Sequence, residues 1–130
     1  MKRMSGKYFV SADQEQGARW PFTTEELLQA AAELRPDAEI AGPYASQGTI
    51  EISVRGQHRE HIVTYHPDTP VFVFPEQDEI EVPATLVLEL LQRLAPNVPA
   101  VWFADFEGII HPLSLDATAE EFAEELVYGE

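Results

Sequence analysis

Four histidines and a dense set of carboxylates are the residues in this 130-residue chain whose types could do chemistry. His58, His61 and His66 would suit zinc or another transition metal if their rings met at one point. They fall on a stretch that reads as a strand returning from a turn at Gly56-Gln57. Side chains alternate along a strand, so His58 and His66 share a face and His61 points to the other, with His58 about 27 Å from His66 at about 3.4 Å per residue. One ion cannot hold all three. A site would have to recruit His111 or loop carboxylates across strands, so the expectation is exposed sheet histidines, no metal and no cofactor.

Glu76, Asp78, Glu79 and Glu81 crowd a loop rich in oxygen ligands. The loop lacks the alternating Asp and Asn positions, the turn glycine and the distant bidentate glutamate of an EF-hand, and reads as a solvated or protein-binding loop. There is no cysteine, hence no thiolate nucleophile and no Cys-ligated metal. No Gly-x-Ser-x-Gly elbow, phosphate-binding glycine loop or dinucleotide fingerprint occurs. Carboxylates this numerous do not single out an acid–base pair. The reading is a non-enzymatic interaction module. The alternative is a small enzyme or ligand-binding protein with a pocket between helices and sheet, in which His66 or His111 works as a base beside a carboxylate.

Charge carries the partner expectation. Twenty-three Asp and Glu against eight Lys and Arg give a net charge of −15. Such a surface repels nucleic acid and anionic lipid and attracts cations. After Arg93 there is no Lys or Arg, while Asp105, Glu107, Asp116, Glu120, Glu121, Glu124, Glu125 and Glu130 follow. Glu124 and Glu125 fall near the negative end of a helix, where a carboxylate costs about 0.3 to 1 kcal/mol. Local stability therefore does not account for them, and a basic protein partner would. Trp20, beside Arg19 and Pro21, either packs on a helix start or anchors an interface. The expected binding set is Trp20, Glu76, Asp78, Glu79, Glu81, Glu120, Glu121, Glu124 and Glu125. The composition is similar to that of immunity proteins and antitoxins, small inhibitors of cationic toxins, an analogy that assigns no residue a role. A DNA-mimicking inhibitor is a further class, and needs carboxylates spaced like phosphates.

These residues must be positioned by elements that the pattern places as follows. The stretch 70–94 is central: Val71-Phe72-Val73-Phe74 between Pro70 and Pro75 reads as a strand buried on both faces, and Leu86, Val87, Leu90, Leu91 and Leu94 form the stripe of a helix with Pro83 in its first turn. A strand is expected over 7–12 and a polar loop over 13–19. Thr23 and Glu26 form a capping box with a Phe22 and Leu27 staple, opening a helix that Pro36 ends and that turns Leu27, Leu28, Ala31 and Leu34 to the core. A strand over 38–41 is broken by Gly42-Pro43. Ile50, Ile52 and Val54 alternate with polar residues over 48–55, and a hairpin returns over 59–66. Later strands carry Trp102, Ala104 and Phe106 on one face and Val101 and Phe103 on the other, then Ile109-Ile110-His111-Pro112 after a Glu107-Gly108 turn. A last helix starts near Thr118, with Glu121 as a second capping box, and shows Ala119, Phe122, Ala123 and Leu126 to the core.

The fold class is α+β: a mainly antiparallel sheet with three helices packed chiefly on one face, in one domain over 1–130. Sliding the chain by 63 positions aligns Phe9, Val10 and Gln14 with Phe72, Val73 and Gln77, and 26–29 with 89–92. One internal repeat, 7–55 and 70–113, fits that echo as two strand-helix-strand-strand units. The basic start Met1-Lys2-Arg3-Met4 is followed by no apolar leader, and no run is long enough to span a membrane. The expectation is a cytoplasmic monomer or weak homodimer.

Overall fold

The computed structural model describes residues 6–44, 48–105 and 108–128. Phe106, Glu107, Glu130 and the basic start over 1–4 lie outside the described residues. In chain order the elements are β1 (Lys7–Ala12), α1 (Thr24–Leu34), β2 (Glu39–Tyr44), β3 (Thr49–Arg55), β4 (Glu60–His66), β5 (Val71–Pro75), α2 (Glu81–Leu94), β6 (Ala100–Ala104), β7 (Ile110–Leu113) and α3 (Ala119–Tyr128), with a 3₁₀ turn at Gln14–Gln16. The seven strands form one antiparallel sheet in the order β2-β3-β4-β5-β1-β6-β7, making an α+β fold.

β5 is the middle strand. Phe72, Val73 and Phe74 are all buried, as an apolar run closed by two prolines requires. Across the sheet Val10 opposes both Phe72 and Trp102, and Tyr8 opposes Phe74 and Ala104. These residues join Ile50, Ile52, Val63, Leu27 of α1, Leu90 of α2 and Phe122 of α3 in one core. The next residue along each strand faces the other way, so Phe9 opposes Val73 and Phe103.

Both capping boxes form. The Glu26 amide donates to Thr23 Oγ1 and the Thr23 amide to Glu26 Oε1, and Thr118 and Glu121 exchange the same two bonds. α2 is buried more widely than its expected stripe: Leu88 is enclosed as well, because the helix packs against α1, α3 and β4 at once. Arg35–Glu89 at 2.8 Å and an Arg93–Glu33 pair join α1 to α2.

One boundary differs from expectation. β2 does not stop at Ala41 but continues through Gly42-Pro43 to Tyr44, with a register shift against β3 between Ala41 and Tyr44. β2 is an edge strand, and a bulge on an edge admits a proline that a central ladder would not. Gly42 sits at φ +102°, which residues with a Cβ rarely adopt. The two halves share the order strand, helix, strand, strand, but β3 lies inside β2 whereas β7 lies outside β6. Phe9 and Phe72, which coincide at an offset of 63, stand on opposite faces. No helix among the described residues is long and apolar enough to cross a membrane.

Truncating Phe72 or Phe74 to alanine should cost about 3 to 5 kcal/mol. Urea unfolding with an unchanged midpoint for both variants would remove β5 from the centre of the core.

Candidate functional site

The most constrained polar cluster links the turn between β3 and β4 to the acidic loop before α2. Gly56 N–H donates to the Arg59 carbonyl at 2.8 Å and closes the turn. The Glu79 carboxylate meets it from the other side, with Oε2 accepting from the His58 amide at 2.9 Å and Oε1 lying 3.1 Å from His61 Nε2. An ionised carboxylate only accepts, so Nε2 carries the hydrogen. Glu79 adopts φ +61°, a left-handed backbone that turns its side chain inward. Burial pushes its carboxyl pKa up, but the bonds from His61 and from the His58 and Gln57 amides outweigh this and hold it below its ordinary value. Gly56 is required by proximity: a Cβ there would lie 2.4 Å from Glu79 Oε1 and 2.9 Å from the Arg59 carbonyl.

This cluster corrects the histidine reading. His58 lies in the turn, not on the strand, and His61 is a core residue only 1 % exposed. A carboxylate orienting an imidazole is the start of an acid–base pair, but a ring so enclosed offers no nitrogen to a substrate from solvent. The pair acts as a latch. His66 is half-buried with Nδ1 3.4 Å from Thr49 Oγ1, and His111 stacks on Trp102 with centroids 4.2 Å apart. Among the described residues no group of three or more His, Asp or Glu could hold a metal ion.

The expected binding residues are dispersed. The Glu76 amide donates to the Gly6 carbonyl, Asp78 points outward with 84 % of its side chain exposed and reaches Arg59 at 3.8 Å, Glu79 turns inward, and Glu81 begins α2. On α3, Glu120 and Glu124 are exposed, while Glu121 closes the capping box. Glu125 accepts from the indole N–H of buried Trp102 at 2.9 Å. Local stability therefore does account for Glu125, contrary to expectation. Sequence alone could not show this, since the partners are 23 residues apart. Trp20 is buried beside the start of α1, stacked on Phe22 and tilted against Phe72, so it packs as a core residue.

No protein family, curated protein or solved structure matches the chain. Two of the clefts among the described residues flank the helices. One of about 590 Å³ is lined by Ala12, Gln14, Gly17, Arg19, Trp20 and Pro70 among others. The other, about 390 Å³, lies where the end of α1, β3 and the start of α2 meet, with Arg35, Arg55, Glu81 and Thr85 on its walls. Neither brings a histidine together with a carboxylate.

Two outcomes check these assignments. Because the folded Glu79 carboxyl is held below its unfolded value, its stabilisation is present above the ordinary carboxylate range and is lost as pH falls through the folded value. Melting curves should show Glu79→Gln with a smaller loss of stability on acidification than wild type; parallel pH profiles would dismiss the latch. Glu125→Ala should lower stability by roughly 1 to 3 kcal/mol by stranding the indole N–H, whereas Glu125→Gln keeps an acceptor and most of the stability.

Proposed function

We propose that the protein is a small acidic interaction module, without catalysis of its own, that binds a basic protein as inhibitors of the immunity type do. One observation carries this reading: the acidity is not neutralised within the fold. Among the described residues, the Lys and Arg ion pairs are Arg35–Glu89, Arg93–Glu33 and Arg59–Asp78, against a net charge of −15. Asp78, Glu120 and Glu124 remain open to solvent. Of these, Glu120 and Glu124 are one turn apart on α3, where i and i+4 side chains are neighbours. Like charges so placed repel each other, and a cationic surface would relieve that repulsion while accelerating encounter.

The latch explains why Glu79 is not counted among the binding residues, and the bonds to Thr118 and Trp102 do the same for Glu121 and Glu125. The acids left to meet a partner are thus Glu120 and Glu124 on α3 and, separately, Asp78 in the loop before α2. Catalysis has less behind it: His61 is enclosed, the clefts beside Trp20 and Arg35 hold no histidine, and His66, which shares a strand-lined groove with Glu51, has a hydrogen-bond contact with Thr49.

The test is the variant Asp78→Asn/Glu120→Gln/Glu124→Gln, which leaves the capping box and the Trp102 acceptor in place. It should melt within about 0.5 kcal/mol of wild type, as surface substitutions do. Used as bait, wild type should retain basic proteins with an association rate that falls steeply with salt, and the variant should lose them. Retention of the same proteins with unchanged salt dependence would make these charges a solvated face and end the proposal.

A further inference from the structure

The sheet has a face that the core does not use. Register places Thr64, Val73, Phe9, Phe103 and Ile110 directly across five successive strands, β4 through β7. The Phe9 and Phe103 rings stack at 5.0 Å and 7°, and both residues are only partly buried. Ile62 and Ile110 are 41 % and 55 % exposed. Beside this row runs a groove of about 580 Å³ whose lining, including Lys7, Glu51, Ile62 and His66, comes entirely from strands. Growth at the sheet's edges is hindered: the outermost strands β2 and β7 each contain a proline, Pro43 and Pro112, which has no N–H to give a further strand. The face is what remains.

Charge decides what fits it. Arg35, Arg59 and Arg93 are already in ion pairs, and Lys7, Arg19 and Arg55 make none among the described residues. Of those three, Lys7 lines the groove and Arg55 occupies a register position on the same face, opposite Glu60. A cationic partner would meet two spare cations here, and an anionic one would meet Glu39, Glu51 and Glu60, which register places on the same face. A second copy of this chain brings both signs, as a surface that packs on itself needs, with Lys7 and Glu51 on one groove. Within one chain these two lie three strands apart, about 14 Å, too far to pair. Between copies Lys7 of one can meet Glu51 of the other. We propose that the open sheet face is a self-complementary docking surface on which two copies pack sheet to sheet, leaving Glu120 and Glu124 free on the outside. It does not rest on the basic-partner reading, and the two respond to salt with opposite sign.

Sedimentation equilibrium of the full chain tests it, from roughly 10 μM to 1 mM protein, where weak dimers are populated. A monomer–dimer equilibrium is expected that tightens as salt rises from about 20 to 200 mM, because screening weakens repulsion between two chains of charge −15. Ile62→Glu should weaken the dimer by about tenfold or more. Ile110→Glu, at a second exposed site, serves if the first variant melts early. Lys7→Glu and Glu51→Lys should each weaken the dimer, and the double variant should restore it. A chain that stays monomeric throughout, a dimer indifferent to both isoleucine variants, or a double variant no tighter than either single one overturns the proposal.

Discussion

Two buried polar tips in the aromatic layer beneath β5 and its neighbours, the Tyr8 hydroxyl and the Trp102 indole N–H, find their partners on α3, and those bonds tie that helix to the sheet. Tyr8 and Trp102 are enclosed beside Phe74 and each other, with Tyr8 centroids 5.7 Å and 6.0 Å from theirs. A buried hydroxyl or indole N–H without a partner is strongly unfavourable. Tyr8 Oη donates to the Leu126 carbonyl at 3.0 Å, and Trp102 Nε1 donates to the Glu125 carboxylate. Both acceptors belong to the last turns of α3, where helix carbonyls lack partners of their own. The sheet's aromatics and the end of the helix therefore satisfy one another, and α3 is held in place by chemistry as well as by Phe122, Ala123 and Leu126.

How much of this was legible depended on whether the signal was local. Thr23 with Glu26 and Thr118 with Glu121 are three residues apart, and both helix starts were correctly read from that spacing. Alternation placed Ile50, Ile52 and Val54 inward, and the prolines around β5 marked its ends, but only Phe72 and Phe74 enter the core, while Val73 lies in the row on the open face of the sheet. Long-range pairing left no such trace. Glu79 and His61 are 18 residues apart and become partners only because the loop before α2 folds back on the β3–β4 turn. The positive φ of Glu79 is carried by a residue type that does not advertise it. Gly42-Pro43 departs from expectation for the same reason: whether the pair ends a strand or bulges it depends on whether the strand lies at an edge, which is a property of the sheet.

The carboxylates then divide by use. Glu26 and Glu121 cap helices, Glu33 and Glu89 tie α1 to α2, Glu79 latches a turn and Glu125 receives an indole. Composition counts these alike. Geometry separates acids consumed by folding from those left over, and the remainder still dominates the electrostatics because few cations exist to offset it.

The place of β1 has a consequence for the order in which the chain can assemble. It is the first strand in sequence, yet its two neighbours are β5 and β6, and none of the strands between residues 13 and 70 touches it in the sheet. During synthesis β1 emerges with both edges unpaired and keeps them so until residues 71–75 and then 100–104 exist. The β2-β3-β4 ladder, by contrast, is built from consecutive antiparallel neighbours and can close locally. A meander can thus form early while β1 waits for the second half of the chain, and such long-range closure slows folding and lengthens the interval in which strand edges stand open.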